Sequence, residues 1–182
     1  AVSVPKKVIT VTSHIDSNLP SIPKEKHQVI YNGVDMTLFP KRKKENPVLR
    51  LATSGSLIYR KGYDLLIEAL IRLKASSLSY ELTMFGDGPE LSRLKQLAEA
   101  HELPIQFRGH VSRETLIQEL PEFDIFIQPS RLESFPFSVV EAMAAGCALI
   151  CSDILGMKEQ VRPMQNGMLF SPENVEELSR CI

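Results

Sequence analysis

The chain has 182 residues, of which 43% are hydrophobic and 24% charged, with a formal net charge of −1. This length can bury one well-formed core, and the balanced charge excludes a nucleic-acid binder that relies on a basic face. No apolar stretch reaches the ~18 residues that span a bilayer, and the N-terminus lacks a signal-peptide layout, so we expect a cytoplasmic protein. The three cysteines, Cys147, Cys151 and Cys181, lack metal-ligand spacing, which predicts free thiols in a reducing compartment.

Short apolar runs near the N-terminus predict strands at Val8–Thr12 and Gln28–Tyr31. A turn follows at Asn32–Asp35, and a polar stretch rich in lysine occupies Lys41–Pro47. These elements suit a linker that follows a preceding domain. The basic stretch is typical of a solvated loop, and an anionic membrane surface is the alternative partner.

From residue 47 onward, short apolar runs alternate with helical patterns. Six strands are predicted, at Leu49–Ser54, Tyr80–Gly86, Ile105–Gly109, Asp124–Gln128, Ala148–Ser152 and Met168–Phe170. Five helices are predicted, at Leu66–Leu73, Leu91–Ala98, Arg113–Leu120, Ser138–Ala145 and Glu173–Cys181, with Pro89 and Pro172 suited to the first helical position of the second and the fifth. Such alternation with continuously apolar strands predicts a doubly wound α/β domain with a parallel sheet.

In open sheets of this class, ligands bind beyond the carboxyl ends of the strands, where the strand order reverses. If the order is the common 3-2-1-4-5-6, that crevice lies between the first and fourth predicted strands. The loops that follow these two strands are Gly55–Gly62 and Pro129–Ser138. We therefore expect both loops to contribute to one site.

The first loop has a glycine that permits close backbone approach, Gly55, and a cation, Lys61, with Arg60 beside it. The second loop leads into a helix near Phe137 and Ser138, whose free N–H groups and dipole favour an anion. A cation that faces a helix N-terminus across a crevice predicts a phosphate or diphosphate site. Taken alone, Lys61 is more typical of a solvated surface lysine than of a ligand-binding one.

Two glutamates, Glu133 and Glu141, lie eight positions apart, and Glu141 is the single charged residue of the apolar run Phe135–Ile150. Burying an unpaired carboxylate costs several kcal/mol, so Glu141 must reach water or hold a polar partner. Vicinal ribose hydroxyls suit Glu141, and a sugar beyond the phosphates suits Glu133. The glycine pattern of dinucleotide binders is missing, and Lys61 precedes Gly62, which excludes a P-loop.

Several segments together resemble the C-terminal, donor-binding domain of retaining GT-B glycosyltransferases of group 1 (family 4). They are Asn32–Asp35, Gly55 with Lys61-Gly62, Phe85–Pro89, Gly109–Val111, and Glu133 with Glu141 followed by Ala-Met-Ala-Ala-Gly. The match spans nearly the whole chain, and the last of these elements is the most specific.

The resemblance implies transfer of a hexose-type sugar from a UDP- or GDP-sugar to a glycan or lipid-linked acceptor with retention, in cell-surface polysaccharide synthesis. It implies no metal or other cofactor. It assigns catalytic roles to Glu133 and Lys61, and donor contacts to Gly55, Ser56, Arg60, Lys61, Gly86, Gly109, His110, Val111, Glu133, Phe135, Phe137, Ser138 and Glu141. The sequence departs from the family at Ser56, where an arginine is frequent, and at Pro136, where a glycine is frequent.

The same resemblance implies that residues 1–40 are the end of an acceptor domain with its linker. Residues 41–182 would form the donor domain, truncated before a C-terminal crossing helix. We expect such a chain to bind donor without transferring sugar by itself, and the intact enzyme to contact the inner face of a membrane if its acceptor is lipid-linked. The alternatives are a glycoside hydrolase that uses Glu133 and Glu141, a sugar-nucleotide epimerase, and a nucleotide-sugar-binding module without activity.

Overall fold

A computed structural model describes residues 6–18, 23–41 and 47–182. Near the N-terminus, strands β1 (Val8–Thr10) and β2 (His27–Val29) form a two-stranded parallel sheet, with helix α1 (Ser13–Ser17) between them. The remaining strands are β3 (Leu49–Ser54), β4 (Tyr80–Phe85), β5 (Ile105–Gly109), β6 (Ile125–Gln128), β7 (Ala148–Ser152) and β8 (Gly167–Phe170). The remaining helices are α2 (Tyr63–Leu73), α3 (Leu91–Ala100), α4 (Arg113–Glu119), α5 (Phe137–Ala144), α6 (Leu155–Gln160) and α7 (Val175–Cys181).

The main sheet has six parallel strands in the order β5-β4-β3-β6-β7-β8. Its first strand in the chain, β3, pairs with β4 on one side and with β6 on the other. The strand order therefore reverses between β3 and β6, as the sequence pattern predicts, and the doubly wound fold is confirmed. The loops after these two strands leave the sheet side by side.

Neighbouring residues on one strand enter different cores, because successive side chains of a strand point to opposite faces of the sheet. Leu51 packs in the core formed with α2, α3 and α7, whereas Ala52 packs in the core formed with α5 and α6. On β6, Ile127 belongs to the first core and Phe126 to the second. Burial of such a side chain stabilises the fold by about 1.5–3 kcal/mol, which explains why the strands are apolar on both faces.

Within the described part of the chain the cysteines form no disulfide; Cys147 and Cys151 are buried and Cys181 is half-buried. Burial raises the pKa of the Cys151 thiol to about 12, so this thiol stays protonated near neutral pH. Cys147 donates a hydrogen bond to the Leu120 carbonyl at 3.4 Å. Cys147 and Cys151 therefore pack as ordinary residues of the second core, which also contains Ala52 and Phe126.

The structure corrects two predicted helix starts. The helix expected to begin at Pro89 begins at Leu91, and the one expected at Pro172 begins at Val175. The second start is set by Asn174, whose side chain accepts a hydrogen bond from the Glu177 backbone N–H at 3.0 Å. The short helices α1 and α6 escape sequence prediction because five or six residues carry too little periodicity.

The predicted loop Lys41–Pro47 falls mostly on residues 42–46, outside the described part of the chain. The turn predicted at Asn32–Asp35 is instead an irregular segment that leads into a short 3-10 helix, Met36–Leu38. Asp35 caps that helix through hydrogen bonds from the Thr37 hydroxyl and backbone N–H, which hold the pKa of the Asp35 carboxyl below its usual range. Across the described residues, no helix is long and apolar enough to cross a bilayer.

Candidate functional site

A cavity of about 370 Å³ lies at the carboxyl ends of β3, β4 and β5. Its lining residues are Ser54, Gly55, Ser56, Phe85, Gly86, Asp87, His110, Val111 and Leu116. Gly109 ends β5 beside it, and its carbonyl accepts a hydrogen bond from the Gly86 N–H at 2.7 Å. Six residues that the resemblance assigns to donor binding thus converge from three strand ends.

Gly86 allows the cavity floor to form. Its φ of +131° lies in a region that side chains disfavour, and a Cβ placed there would lie 1.9 Å from the Gly55 carbonyl oxygen. The Gly55 N–H in turn donates to the Phe85 carbonyl at 3.0 Å. The backbones of the two loops therefore touch, which leaves a smooth surface for a ligand.

Lys61 ends a short 3-10 turn, Tyr59–Lys61, just before α2, and its Nζ forms an ion pair with Oε1 of Glu133. Both side chains are largely covered, with 14% of Lys61 and 11% of Glu133 exposed. A Cβ built on Gly55 would lie 3.7 Å from Lys61 Nζ, which places the cation next to the cavity floor. The two residues predicted to be catalytic thus contact each other.

A buried polar network supports this pair. Gln128, which is fully buried at the end of β6, donates from Nε2 to the Ser130 hydroxyl at 2.9 Å. Its Oε1 accepts from the Ser138 hydroxyl at 3.1 Å, and the Ser130 hydroxyl lies 3.5 Å from Glu133 Oε1. Since buried amides require partners, Gln128 fixes the loop that carries Glu133 to the first turn of α5.

Helix α5 begins at Phe137, after Pro136, and no side chain caps its first turn. Among the described residues, no side chain bonds to the N–H groups of this first turn and no acidic residue lies within it, so these groups and the helix dipole are available to an anion. Phe135, just before it, stacks on Tyr31 with ring centroids 5.4 Å apart, and its carbonyl accepts from the Asn32 side chain at 3.1 Å. The segment at residues 31–32 thus holds the start of α5.

Glu141 lies on α5 and is only 6% exposed, as its apolar surroundings predict. The structure supplies a protein partner that the sequence analysis did not identify, because Arg113 Nε donates to Glu141 Oε1 at 2.8 Å. Arg113 is the first residue of α4 and is 28 positions away in sequence. The contact between Arg113 and Glu141 depends on tertiary structure, and no local sequence motif predicts it.

Arg60 has an exposed side chain, while its carbonyl accepts a hydrogen bond from the Arg131 N–H at 2.8 Å. Arg131, also missed from sequence, donates to both oxygens of Asp64 at 2.8 and 2.9 Å and to the Tyr59 carbonyl at 2.8 Å. Burial alone would raise the pKa of Asp64, but the Arg131 guanidinium holds it below its usual range. Arg131 therefore joins the loop before Glu133 to the turn that carries Lys61.

Comparison with known proteins decides the family. Residues 35–182 match the family model described as glycosyl transferases group 1. The chain belongs to the group 1 glycosyltransferases. Over 159 residues it is 33% identical to a glycogen synthase of Mycobacterium tuberculosis, with 85% of this chain and 38% of that protein covered.

Solved glycosyltransferase structures share the fold. The crystal structure of Anabaena HepE in complex with UDP and glucose superposes with a TM-score of 0.82 at 23% identity, covering 96% of this chain and 52% of that one. A glycosyltransferase from Rickettsia africae gives a TM-score of 0.84 at 24% identity, covering 96% and 52%. The chain thus has the architecture of one half of a GT-B enzyme, and it spans about half the length of these two proteins.

The loop that carries Glu133 also packs tightly against α6. A Cβ on Gly156 would lie 1.1 Å from the Ser134 carbonyl oxygen, so the backbone must shift to admit it. We expect Gly156→Ala to lower the free energy of unfolding by about 1–3 kcal/mol, as overpacking does. Gly33→Ala is the matched control, since in the described part of the chain no heavy atom beyond the adjoining residues lies within 4 Å of a Cβ there. Urea denaturation of both variants checks this, and equal stabilities would contradict the packing argument.

Proposed function

We propose that the chain is the donor-binding domain of a retaining glycosyltransferase that takes a hexose-type sugar from a UDP- or GDP-sugar. One observation carries this proposal: the loops that follow the neighbouring strands β3 and β6 are joined by the Lys61–Glu133 ion pair, and the second loop leads into the uncapped start of α5. A cation and helix N–H groups suit a diphosphate, and a fixed carboxylate suits ribose hydroxyls.

In this proposal each group has a chemical task. As the bond between sugar and diphosphate breaks, negative charge grows on the leaving phosphate, and Lys61 with the α5 N–H groups stabilises it. Glu133 contacts the departing sugar, while the cavity walls at His110 and Val111 border the base. Because Lys61 and Glu133 already pair with each other, the incoming diphosphate must separate them.

The relatives support the wider assignment. One is named a glycogen synthase, and another was crystallised with UDP and glucose. We therefore propose a role in polysaccharide synthesis, with a glycan or lipid-linked acceptor. Residues 1–40 would contribute the end of an acceptor domain and its linker, and contact with a membrane would follow from a lipid-linked acceptor.

Calorimetric titration of UDP, GDP and ADP and their sugar conjugates tests the proposal on this chain. We expect one nucleotide to bind, and Glu141→Ala to weaken it about 10-fold or more, because hydrogen bonds to a charged group contribute about 1.5–3 kcal/mol each. Glu68→Ala, an exposed glutamate on α2, is the control and should bind as the parent chain does. A dissociation constant of about 1 mM corresponds to only ~4 kcal/mol of binding free energy. The proposal would be contradicted if a folded chain bound none of these ligands even at that concentration.

A further inference from the structure

Arg113 is not among the residues assigned above to the donor, yet among the described residues it is the one hydrogen-bond partner of the Glu141 carboxylate. We propose that Arg113 is a positioning residue for the ribose: it holds one oxygen of Glu141 and thereby presents the other to the ribose hydroxyls. This inference rests on the proposed function. It adds a reason why the site would prefer a ribonucleotide to a nucleotide without the ribose hydroxyls.

The contact is one-sided. Arg113 Nε donates to Oε1 at 2.8 Å, and within the described part of the chain no other group bonds to this carboxylate, so Oε2 is left for a further donor. Only 8% of the Glu141 side chain is exposed, against 54% of the Arg113 side chain. The charge-assisted bond from Arg113 thus neutralises the covered carboxylate from the solvent side, and it leaves Oε2 accessible to a ligand.

The position of Arg113 is itself fixed. Ser112 caps α4, since its hydroxyl accepts a hydrogen bond from the Thr115 N–H at 3.1 Å. Just before it, His110 and Val111 line the cavity, and Leu116 lines it one turn later. The element that carries Arg113 therefore also forms the cavity wall, so the base and ribose parts of the site share one support.

A carboxylate turns easily about its last side-chain bond, and it accepts two vicinal hydroxyls well only in one plane. Arg113 removes this freedom by anchoring Oε1. Without Arg113, the covered Glu141 carboxylate would lack a cation, and its plane would no longer have a fixed orientation. Loss of Arg113 should therefore reduce the part of the affinity that depends on the ribose hydroxyls more than the part that depends on the phosphates.

A purely structural link between α4 and α5 is the rival explanation. It predicts that removing Arg113 changes stability, or changes affinity for all nucleotides by the same factor. The ratio between affinities for a ribonucleotide and its dideoxy counterpart separates the two explanations, because both ligands have the same phosphates and base.

The test is calorimetry with the nucleoside diphosphate that binds most tightly to the parent chain and with its 2′,3′-dideoxy form. We expect the parent chain to prefer the ribonucleotide about 10-fold or more, and Arg113→Met to reduce that preference to about 3-fold or less. Arg113→Lys should recover part of the preference, since it keeps a cation there. Arg180→Met is the matched control, because Arg180 is exposed on α7, and it should behave as the parent does.

Each contrary outcome has its own meaning. If Arg113→Met is folded and keeps the full preference, or weakens both ligands equally, the positioning role is wrong. If the parent chain binds both ligands equally well, the inference fails while the proposed function stands. If a folded parent chain binds no nucleotide at all, the proposed function itself fails. Circular dichroism of every variant establishes folding, and Arg113→Lys serves should the methionine variant not fold.

Discussion

Replacing Arg131 with methionine is expected to lower the free energy of unfolding by about 3–5 kcal/mol, the range found when one partner of a buried ion pair is removed. Only 14% of the Arg131 side chain and 12% of that of Asp64 are exposed. The substitution would leave the Asp64 carboxylate covered, with the guanidinium of Arg93 at 3.8 Å as its remaining cation. It would also remove the stacking of the Arg131 guanidinium on Tyr59, 3.9 Å from the ring centroid.

Urea denaturation of the chain measures this effect, with Arg180→Met as control. Arg180 is 70% exposed and lies 3.8 Å from Glu176, so its loss should change stability by no more than about 0.5 kcal/mol. Asp64→Asn in the Arg131→Met background should recover part of the stability, because no uncompensated carboxylate would remain. A change below about 1 kcal/mol for Arg131→Met would show that this pair is a surface contact in energetic terms.

The stability of this link bears on the site. Arg131 joins the turn at Tyr59–Lys61 to the loop that leads to Glu133, through its side chain and through its backbone N–H. Under the proposed function, a diphosphate replaces Glu133 as the partner of Lys61. The backbone segments that carry these two residues must then keep a constant distance. Under the proposed function, Arg131 thus holds the backbone around Lys61 and Glu133 in place while their side chains separate.

The fold could be predicted from the sequence because its signals are local. The strands of the main sheet are short segments with apolar residues on one or both faces, and three of them, Leu49–Ser54, Ile105–Gly109 and Ala148–Ser152, have the bounds that the pattern predicts. Parallel strands with intervening helices allow few arrangements, so the strand order followed from a general rule. Helix starts were less certain, because Pro89 and Pro172 precede the first helical residue by two or three positions.

The candidate site was only partly predictable. Glu141 stood out as one charge in an apolar run, which is a signal in the sequence itself. Arg113 and Arg131 gave no such signal, because an arginine among polar neighbours is typical of a solvated face. Their partners lie 28 and 67 positions away in the chain, and only the packed structure brings them together. Residues proposed to orient the site are thus harder to predict than residues proposed to contact a ligand.

Lys61 and Glu133 are expected to respond to substitution in opposite directions when nucleoside diphosphate binding is measured. Lys61→Met should weaken binding about 10- to 100-fold, since it removes a charge-assisted contact to phosphate. Glu133→Gln should strengthen it about 3- to 10-fold, because the ligand then no longer competes with a partly covered ion pair and meets one negative charge fewer.

A double-mutant cycle by calorimetry separates the causes of that gain. If competition for Lys61 is the cause, Glu133→Gln in the Lys61→Met background should give little or no increase in affinity. An undiminished increase in that background would instead point to general repulsion between Glu133 and the ligand. Weaker binding by Glu133→Gln alone would contradict the competition argument altogether.

The sugar conjugate gives the complementary result. If Glu133, once released from Lys61, contacts the sugar, Glu133→Gln should reduce the preference for a nucleotide sugar over the nucleoside diphosphate, even as it strengthens binding of the latter. The ion pair would then couple two parts of the donor, because the diphosphate draws Lys61 away and frees the carboxylate for the sugar. A site built in this way recognises the intact donor better than either part, while its two charged side chains compensate each other when no ligand is bound.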